Sequence, residues 1–250
     1  MEKYEDIIAG RNAVSELIKS GRPLDTVYIT SGEKVGSINK IIAMAKQNGA
    51  VIKQVDERKL DFMANGVSHQ GIVCVVAAAE YQSIDDILAI ATEREESPFI
   101  IIADDIEDPH NLGALIRTAE ASGAHGIIIP KRHSASLTGA VYKASAGALA
   151  HLAVARVSNI AQSIDELKKK NVWIYAADVD GEPWCSIQYD GAVGLVIGSE
   201  GKGVSRLVKQ KADFIVSLPM RGKVNSLNAS VAGGILMYEV VRSQIEAGRK

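Results

Sequence analysis

Cysteine is scarce in this chain. Cys74 and Cys185 are the only two in 250 residues, and they lie far apart without the paired spacing of a zinc site or a disulfide framework. Five histidines, His69, His110, His125, His133 and His151, are equally scattered, so no metal is expected. Long apolar runs are missing too: none approaches the roughly 20 residues that span a bilayer. The first six residues are charged and lack the apolar core of a signal peptide. Together these absences predict a protein of the reducing cytoplasm with no membrane attachment. Neither an internal repeat nor a low-complexity tract is present. The familiar nucleotide fingerprints are absent as well. The loop Ile197-Gly-Ser-Glu-Gly-Lys-Gly203 has Val196 where a Walker loop needs its first glycine, and no Ser or Thr follows Lys202. Its glycines fall as G-x-x-G-x-G, which is not the dinucleotide-binding pattern, so a nicotinamide oxidoreductase is excluded. No serine or cysteine sits in a nucleophile elbow beside an obvious base.

What is present is an ordinary globular composition, 47% hydrophobic and 23% charged, with a net charge of −2. That balance argues against wholesale phosphate binding, but its distribution is uneven. Residues 1–80 hold ten basic and ten acidic side chains, residues 81–199 nine against sixteen, and residues 200–250 nine against four. The positive charge collects in the last fifth of the chain, as a local patch for a nucleic acid would.

Periodicity predicts a small α/β module first: helix 8–20, strand 26–29, helix 38–47, strand 51–55, helix 57–63 and strand 71–76. Its turn Ser68-His69-Gln70-Gly71 is polar. A helical stretch at 81–96 and Ser97-Pro98 mark a boundary, so residues 1–80 form one expected domain, 81–97 a linker and 98–250 a second domain. The second repeats a β-then-α rhythm, with strands at 99–103, 126–130, 151–157, 172–177, 192–197 and 214–218. These runs are apolar without alternation, the pattern of strands covered on both faces. A mostly parallel sheet flanked by helices follows, and its ligands belong at the carboxyl ends of the strands.

Three of those ends carry unusual loops. After the first strand, Asn111 is a candidate helix cap, and Leu112, Leu115, Ile116 and Ala119 form one helical face with Arg117 nearly opposite. The second loop is the glycine-rich 197–203 segment, whose backbone can approach a ligand closely. In the third, Pro219 and Gly222 precede Asn225, Ser226, Leu227, Asn228 and Ser230 before an apolar helix. Glycine backbone, small amides, one carboxylate (Glu200) and one arginine (Arg117) suit the positioning of two substrates better than covalent or metal catalysis.

In this order the three loops resemble the motifs of the SpoU/TrmH branch of the SPOUT RNA methyltransferases. Asn111-Leu-Gly-Ala-Leu-Ile-Arg117 is similar to the first motif, Ile197-Gly-Ser-Glu-Gly-Lys-Gly203 to the second, and residues 218–230 to the third. Residues 5–77, with Gly10-Arg-Asn-Ala-Val14 and His69-Gln-Gly71, resemble that family's L30e-like substrate-binding domain. The resemblance implies a homodimeric ribose 2′-O-methyltransferase that uses S-adenosylmethionine, with a deep trefoil knot in the C-terminal sheet. It implies RNA as substrate, in this two-domain form a guanosine of 23S ribosomal RNA; transfer RNA and a non-catalytic RNA-binding role are the alternatives. Carried over by position, Arg117, Asn111, Glu200, Ser226 and Asn228 form the catalytic set. Ile197, Gly198, Leu218, Met220, Leu227 and Ala229 line the cofactor pocket. Arg11, His69, Gln70, Lys131, Arg132, Tyr142, Arg221 and Lys223 are expected RNA contacts.

Overall fold

The computed structural model describes residues 7–19, 21, 23–31 and 36–248. Residues 1–6 and 249–250, at the outer ends of the two expected domains, and Ser20, the expected last residue of the first helix, lie outside them. The chain divides into two compact units, residues 1–80 with 136–142, and residues 81–135 with 143–250.

The first unit runs β1 (Ile7–Ala9), α1 (Arg11–Lys19), β2 (Leu24–Thr30), α2 (Gly36–Gln47), β3 (Val51–Val55), α3 (Glu57–Ala64) and β4 (Ile72–Val76). Its sheet has the order β1-β4-β2-β3, with β2 and β3 parallel and the other pairs antiparallel. The helix expected from residue 8 begins only at Arg11. Residues 7–9 are instead a strand, with Ile8 opposite Cys74. The face that α1 buries, Val14, Leu17 and Ile18, does not need Ile8, and Gly10 at φ +97° separates strand from helix. Cys74 is fully buried, and burial pushes its thiol up to about 12, which makes it a packing residue.

The second unit contains α4 (Ile84–Glu93), β5 (Phe99–Asp104), α5 (Pro109–Ala121), β6 (Gly126–Pro130), α6 (Gly139–Ala144), β7 (Ala153–Val157), α7 (Ile160–Lys169), β8 (Val172–Pro183), β9 (Ala192–Gly198), α8 (Arg206–Lys211), β10 (Phe214–Ser217) and α9 (Ala229–Glu246). The first residues of α6 cluster with the other unit. Six strands form one sheet in the order β10-β8-β9-β5-β6-β7, and every neighbouring pair is parallel. Residues 81–97 are not a linker but part of this unit. Ser83 and Asp86 close a capping box at the start of α4, and Ile87 and Ala91 are fully buried.

Alternate residues along each strand serve two cores. Ile100, Ile102, Ile174 and Val196 pack with Ile87 of α4, Ile164 and Leu167 of α7 and Val208 of α8. The other face meets α5 and α9, which pack on each other. There a Cβ at Gly233 would lie 2.5 Å from Leu115 Cδ2 and 3.4 Å from Ile197 Cγ1, so only glycine lets α9 approach this closely.

The chain reaches β5 past His125, whose ring is almost fully enclosed. Its Nδ1 accepts from Phe99 N at 2.9 Å and its Nε2 lies 3.0 Å from Glu96 Oε2. Burial lowers its pKa, and the Glu96 hydrogen bond only partly offsets that. The folded state therefore favours the neutral ring. This stabilisation is complete above the ordinary histidine pKa and is lost as pH falls through the lowered one. His125→Gln is expected to flatten the loss of thermal stability between pH 7 and pH 5. Parallel melting-temperature profiles for the two proteins would rule this out.

Candidate active site

The sheet reverses its winding between β5 and β9. From β5 the chain moves outward through β6 and β7, whereas β9 leads through α8 to β10 on the opposite side. The carboxyl ends of those two strands, Asp104 and Gly198, are paired neighbours, and a crevice at such a reversal is where parallel sheets bind ligands.

Three loops meet there. Asp108, not Asn111, caps α5: its carboxylate accepts from His110 N and Asn111 N, both at 3.2 Å, with Pro109 opening the helix. The stronger cap acceptor releases the Asn111 amide for other work. Asn111 Nδ2 donates to Glu200 Oε1 at 3.0 Å, and Asn111 Oδ1 accepts from Asn228 Nδ2 at 2.8 Å. Asn228 Nδ2 also donates to Glu200 Oε1, which accepts from Ala229 N at 3.3 Å as well. Asn228 is at the same time the N-cap of α9, its Oδ1 accepting from Ser230 N, Val231 N and Ser230 Oγ. One residue from each loop thus enters a closed three-way hydrogen-bonded cluster. The Glu200 carboxylate is its common acceptor and lies at the positive end of α9.

Beside this cluster opens a cavity of about 510 Å³. Its wall combines Ile197, Gly198, Leu218, Met220, Leu227 and Ala229 with Ser226 and Glu200. The loop that forms its floor is tightly folded. Gly203 N donates to Ser199 O at 2.9 Å, and Ser205 N donates to the buried Asp104 carboxylate at 2.7 Å. A Cβ on Gly198 would lie 2.1 Å from the Gly203 carbonyl carbon. Backbone groups therefore occupy positions that side chains would otherwise fill. A cavity of this size with apolar walls and backbone polar groups fits one nucleoside-sized ligand.

Every expected cofactor-pocket residue lines this cavity, and four of the five expected catalytic residues lie in it or in the hydrogen-bonded cluster. Arg117 does neither. It lies two turns along α5 from Asn111, exposed, and makes no hydrogen bond or ion pair with any described residue. In the first unit, Arg11, His69 and Gln70 line one pocket. Arg11 Nε donates to Gln70 O at 3.0 Å and Arg11 N to Gln70 Oε1 at 3.2 Å. His69 is buried rather than offered to solvent: Nδ1 accepts from Gly71 N and Nε2 pairs with Asp61 Oδ1, both at 3.0 Å. It fixes the turn in which Gln70 adopts φ +50°. Lys131, Arg132, Tyr142, Arg221 and Lys223 are all exposed.

Ala177, Asp178, Val179 and Lys209 also line the cavity, and the three loop motifs do not include them. The strand-end rule applied to residues 172–177 would have reached the first three. Among the described residues no group of His, Cys, Asp and Glu could hold a metal ion, and no helix is long and apolar enough to cross a membrane.

An all-parallel α/β sheet with a crevice at its switch point, walled by amides and glycine backbone, places this chain among the α/β proteins that bind ligands at the carboxyl edge of the sheet. Comparison with known proteins narrows the class. Residues 98–238 match the SpoU rRNA methylase family, and residues 7–82 match the family of RNA 2′-O ribose methyltransferase substrate-binding domains. The Bacillus subtilis protein YacO, assigned to the TrmH family of tRNA/rRNA methyltransferases, is 47% identical over 249 residues, covering 99% of this chain and all of that one. A Staphylococcus aureus protein assigned to the same family is 44% identical over 245 residues, 98% of each. The SpoU methyltransferase AviRb of Streptomyces viridochromogenes, solved with AdoMet, superposes with TM-score 0.62 at 23% identity over 96% of this chain and 90% of its own. The chain belongs to the SpoU/TrmH family of RNA methyltransferases.

Proposed function

We propose that this protein transfers a methyl group from S-adenosylmethionine to a ribose 2′-hydroxyl of structured RNA, a guanosine of 23S ribosomal RNA, and does so in the cytoplasm as a homodimer. The observation that carries the reading is the Asn111–Glu200–Asn228 cluster, because it joins all three motifs at the mouth of a nucleoside-sized cavity. In this reading the backbone around Gly198, Leu218 and Leu227 holds the cofactor, with Ile197, Met220 and Ala229 giving the apolar contacts. The bound cofactor supplies a methyl group on a positively charged sulfur. Glu200 and the two amides fix the loop that bears Ser226 against the entering ribose, so that the two reactants are held in line. The C-terminal segment 218–228 threads the sheet as a trefoil knot, a reading supported by its shared lining of the cavity with residues 197–203.

The hydroxyl proton must leave during transfer. A guanidinium stays charged in proteins and is a poor acceptor. Arg117 is therefore the electrostatic clamp on the phosphate or the incipient alkoxide, and water or a neighbouring group takes the proton. Its distance from the cluster within one chain is resolved by a dimer, which brings Arg117 of one subunit to the site of the other. The support is α9. Its buried face holds Ala229, Gly233, Leu236, Met237 and Val240, yet the opposite face also carries apolar side chains, set around Arg242. Val231, Ile235, Tyr238 and Ile245 are 51%, 38%, 53% and 66% exposed and lie on one narrow stripe. Such a stripe, beside Thr118 of α5 at Gly234, fits a second copy of the same chain.

Two measurements test this. Ile235→Asp/Tyr238→Asp should yield monomers in sedimentation equilibrium that retain cofactor binding and lose methyl transfer; a variant that stays dimeric removes α9 from the interface. Ribose-methylation mapping after reaction with 23S rRNA and with tRNA decides the substrate, and a product found in tRNA alone overturns the ribosomal assignment.

The first unit supplies the RNA grip in this scheme, through Arg11 and Gln70 on the turn that His69 holds. Lys131, Arg132, Tyr142, Arg221 and Lys223 are further RNA contacts in the same reading.

A further inference from the structure

We infer that the Asp178 carboxylate is a cofactor-binding group that accepts hydrogen bonds from the sugar hydroxyls of the bound nucleoside, and that Lys209 is the positioning residue that holds it. The inference rests on the reading that the 510 Å³ cavity holds the methyl donor.

The local fold is built to deliver Asp178 to that cavity. Along β10, Ile215 is paired with Ala176 of β8, but the next residue, Val216, is paired with Glu182. Residues 177–181 therefore leave the ladder between two consecutive residues of the partner strand. The return is pinned on both sides. Ser217 Oγ donates to Gly181 O at 2.8 Å, and a Cβ on Gly181 would lie 2.6 Å from the backbone of Ile215. The excursion places Ala177, Asp178 and Val179 in the cavity wall.

The Asp178 side chain is only 10% exposed, and Lys209 Nζ pairs with its Oδ2 at 2.7 Å. Burying an ion pair has no intrinsic advantage over well-packed apolar side chains, so its presence in a ligand cavity calls for a polar task. One ammonium occupies one oxygen. The other, Oδ1, has only a long 3.4 Å contact from Asp180 N, beyond good hydrogen-bond range. A carboxylate with this spare capacity is suited to the paired donors of a vicinal diol, as in other nucleotide sites of parallel sheets.

Position selects the sugar over the amino-acid end of the donor. In the order β8-β9-β5, the Asp178 loop lies two strands, roughly 10 Å, from the loop that bears Asn111, where the methyl group must leave. The cavity residues that share the Asp178 side include Ile197 on β9 and Val216 and Leu218 around β10, an apolar slot suited to the base. The ribose then lies between that slot and the transfer point.

Calorimetry on the whole protein without RNA tests this with three ligands: S-adenosylhomocysteine, 5′-methylthioadenosine, and the 2′,3′-dideoxy form of the latter. The wild-type protein should bind the dideoxy form about tenfold more weakly than 5′-methylthioadenosine. Asp178→Asn should lose about that factor for both diol-bearing ligands and nothing further for the dideoxy ligand. Lys209→Met should give a smaller loss with the same ligand ranking. A wild-type protein indifferent to the diol overturns the inference without recourse to any variant. So does an Asp178→Asn loss confined to S-adenosylhomocysteine, which would place the carboxylate at the amino-acid tail, or a loss that includes the dideoxy ligand. Absence of S-adenosylhomocysteine binding by the wild type would instead overturn the cofactor reading on which the inference stands.

Discussion

Arg117→Ala is expected to lower the methyl-transfer rate by about 10²–10³-fold or more while cofactor affinity stays unchanged. The side chain is exposed on α5 and bonds to no described residue, and no part of it lines the cavity. Its removal leaves the fold and the cofactor pocket intact. In the proposed reading, what is lost is a fixed positive charge at the point where negative charge develops on the ribose oxygen. Calorimetry and a single-turnover assay on the same preparation separate the two effects. Simultaneous loss of binding and transfer would count against the clamp. Because Arg117 and Glu200 of one functional site then belong to different subunits, mixing is informative. Two inactive proteins, Arg117→Ala and Glu200→Gln, should recover activity when their subunits exchange, since one mixed dimer then carries one complete site. No recovery despite proven exchange would return Arg117 to its own chain's site.

Gly198→Ala should be the most damaging single methyl group in the molecule. The added carbon would sit 2.1 Å from Gly203 C, 2.2 Å from Val204 N and 2.3 Å from Gly203 O. These are backbone atoms, held in place by the Ser199–Gly203 bridge and by the Asp104 carboxylate on Ser205 N. No side-chain rotation relieves the clash, so the 199–204 loop must move away from β9. The loss of stability should be about 3 kcal/mol, the upper end for overpacking. The displaced loop also carries Glu200, so the variant should lose cofactor binding and the three-way cluster together. Denaturant unfolding and calorimetry read both losses. A variant that melts like the wild type and binds S-adenosylhomocysteine normally would show that the loop is not held as described.

Much of this was legible before any coordinates. The unbroken apolar runs at 99–103, 126–130 and 192–197 specify a sheet covered on both faces, because only such strands need no polar side. Glycine and small amide residues at three strand ends mark the ligand edge, since backbone and amide groups can grip a ligand without charge. Two assignments at helix starts failed, each for a physical reason. Ile7, Ile8 and Ala9 joined β4 because that buried strand needed an edge partner, a long-range demand that helical periodicity does not register. Asn111 lost the capping position to Asp108, whose carboxylate is the stronger acceptor, and the amide bonds Glu200 and Asn228 instead.

The three loops are legible in the sequence, and their resemblance to the family's motifs joins Asn111, Glu200 and Asn228, 89 and 28 positions apart along the chain, in one set whose side chains do meet. Tertiary structure alone decided that Asp178 and Lys209 share their cavity. The five-residue excursion in β8 is set by the register of β10, and in residues 172–183 themselves only Gly181 marks its return. It alone also showed which apolar side of α9 is filled by β9 and α5 and which is left open. A sequence records how much apolar surface a helix carries, whereas only packing reveals how much of it the chain's own core can cover.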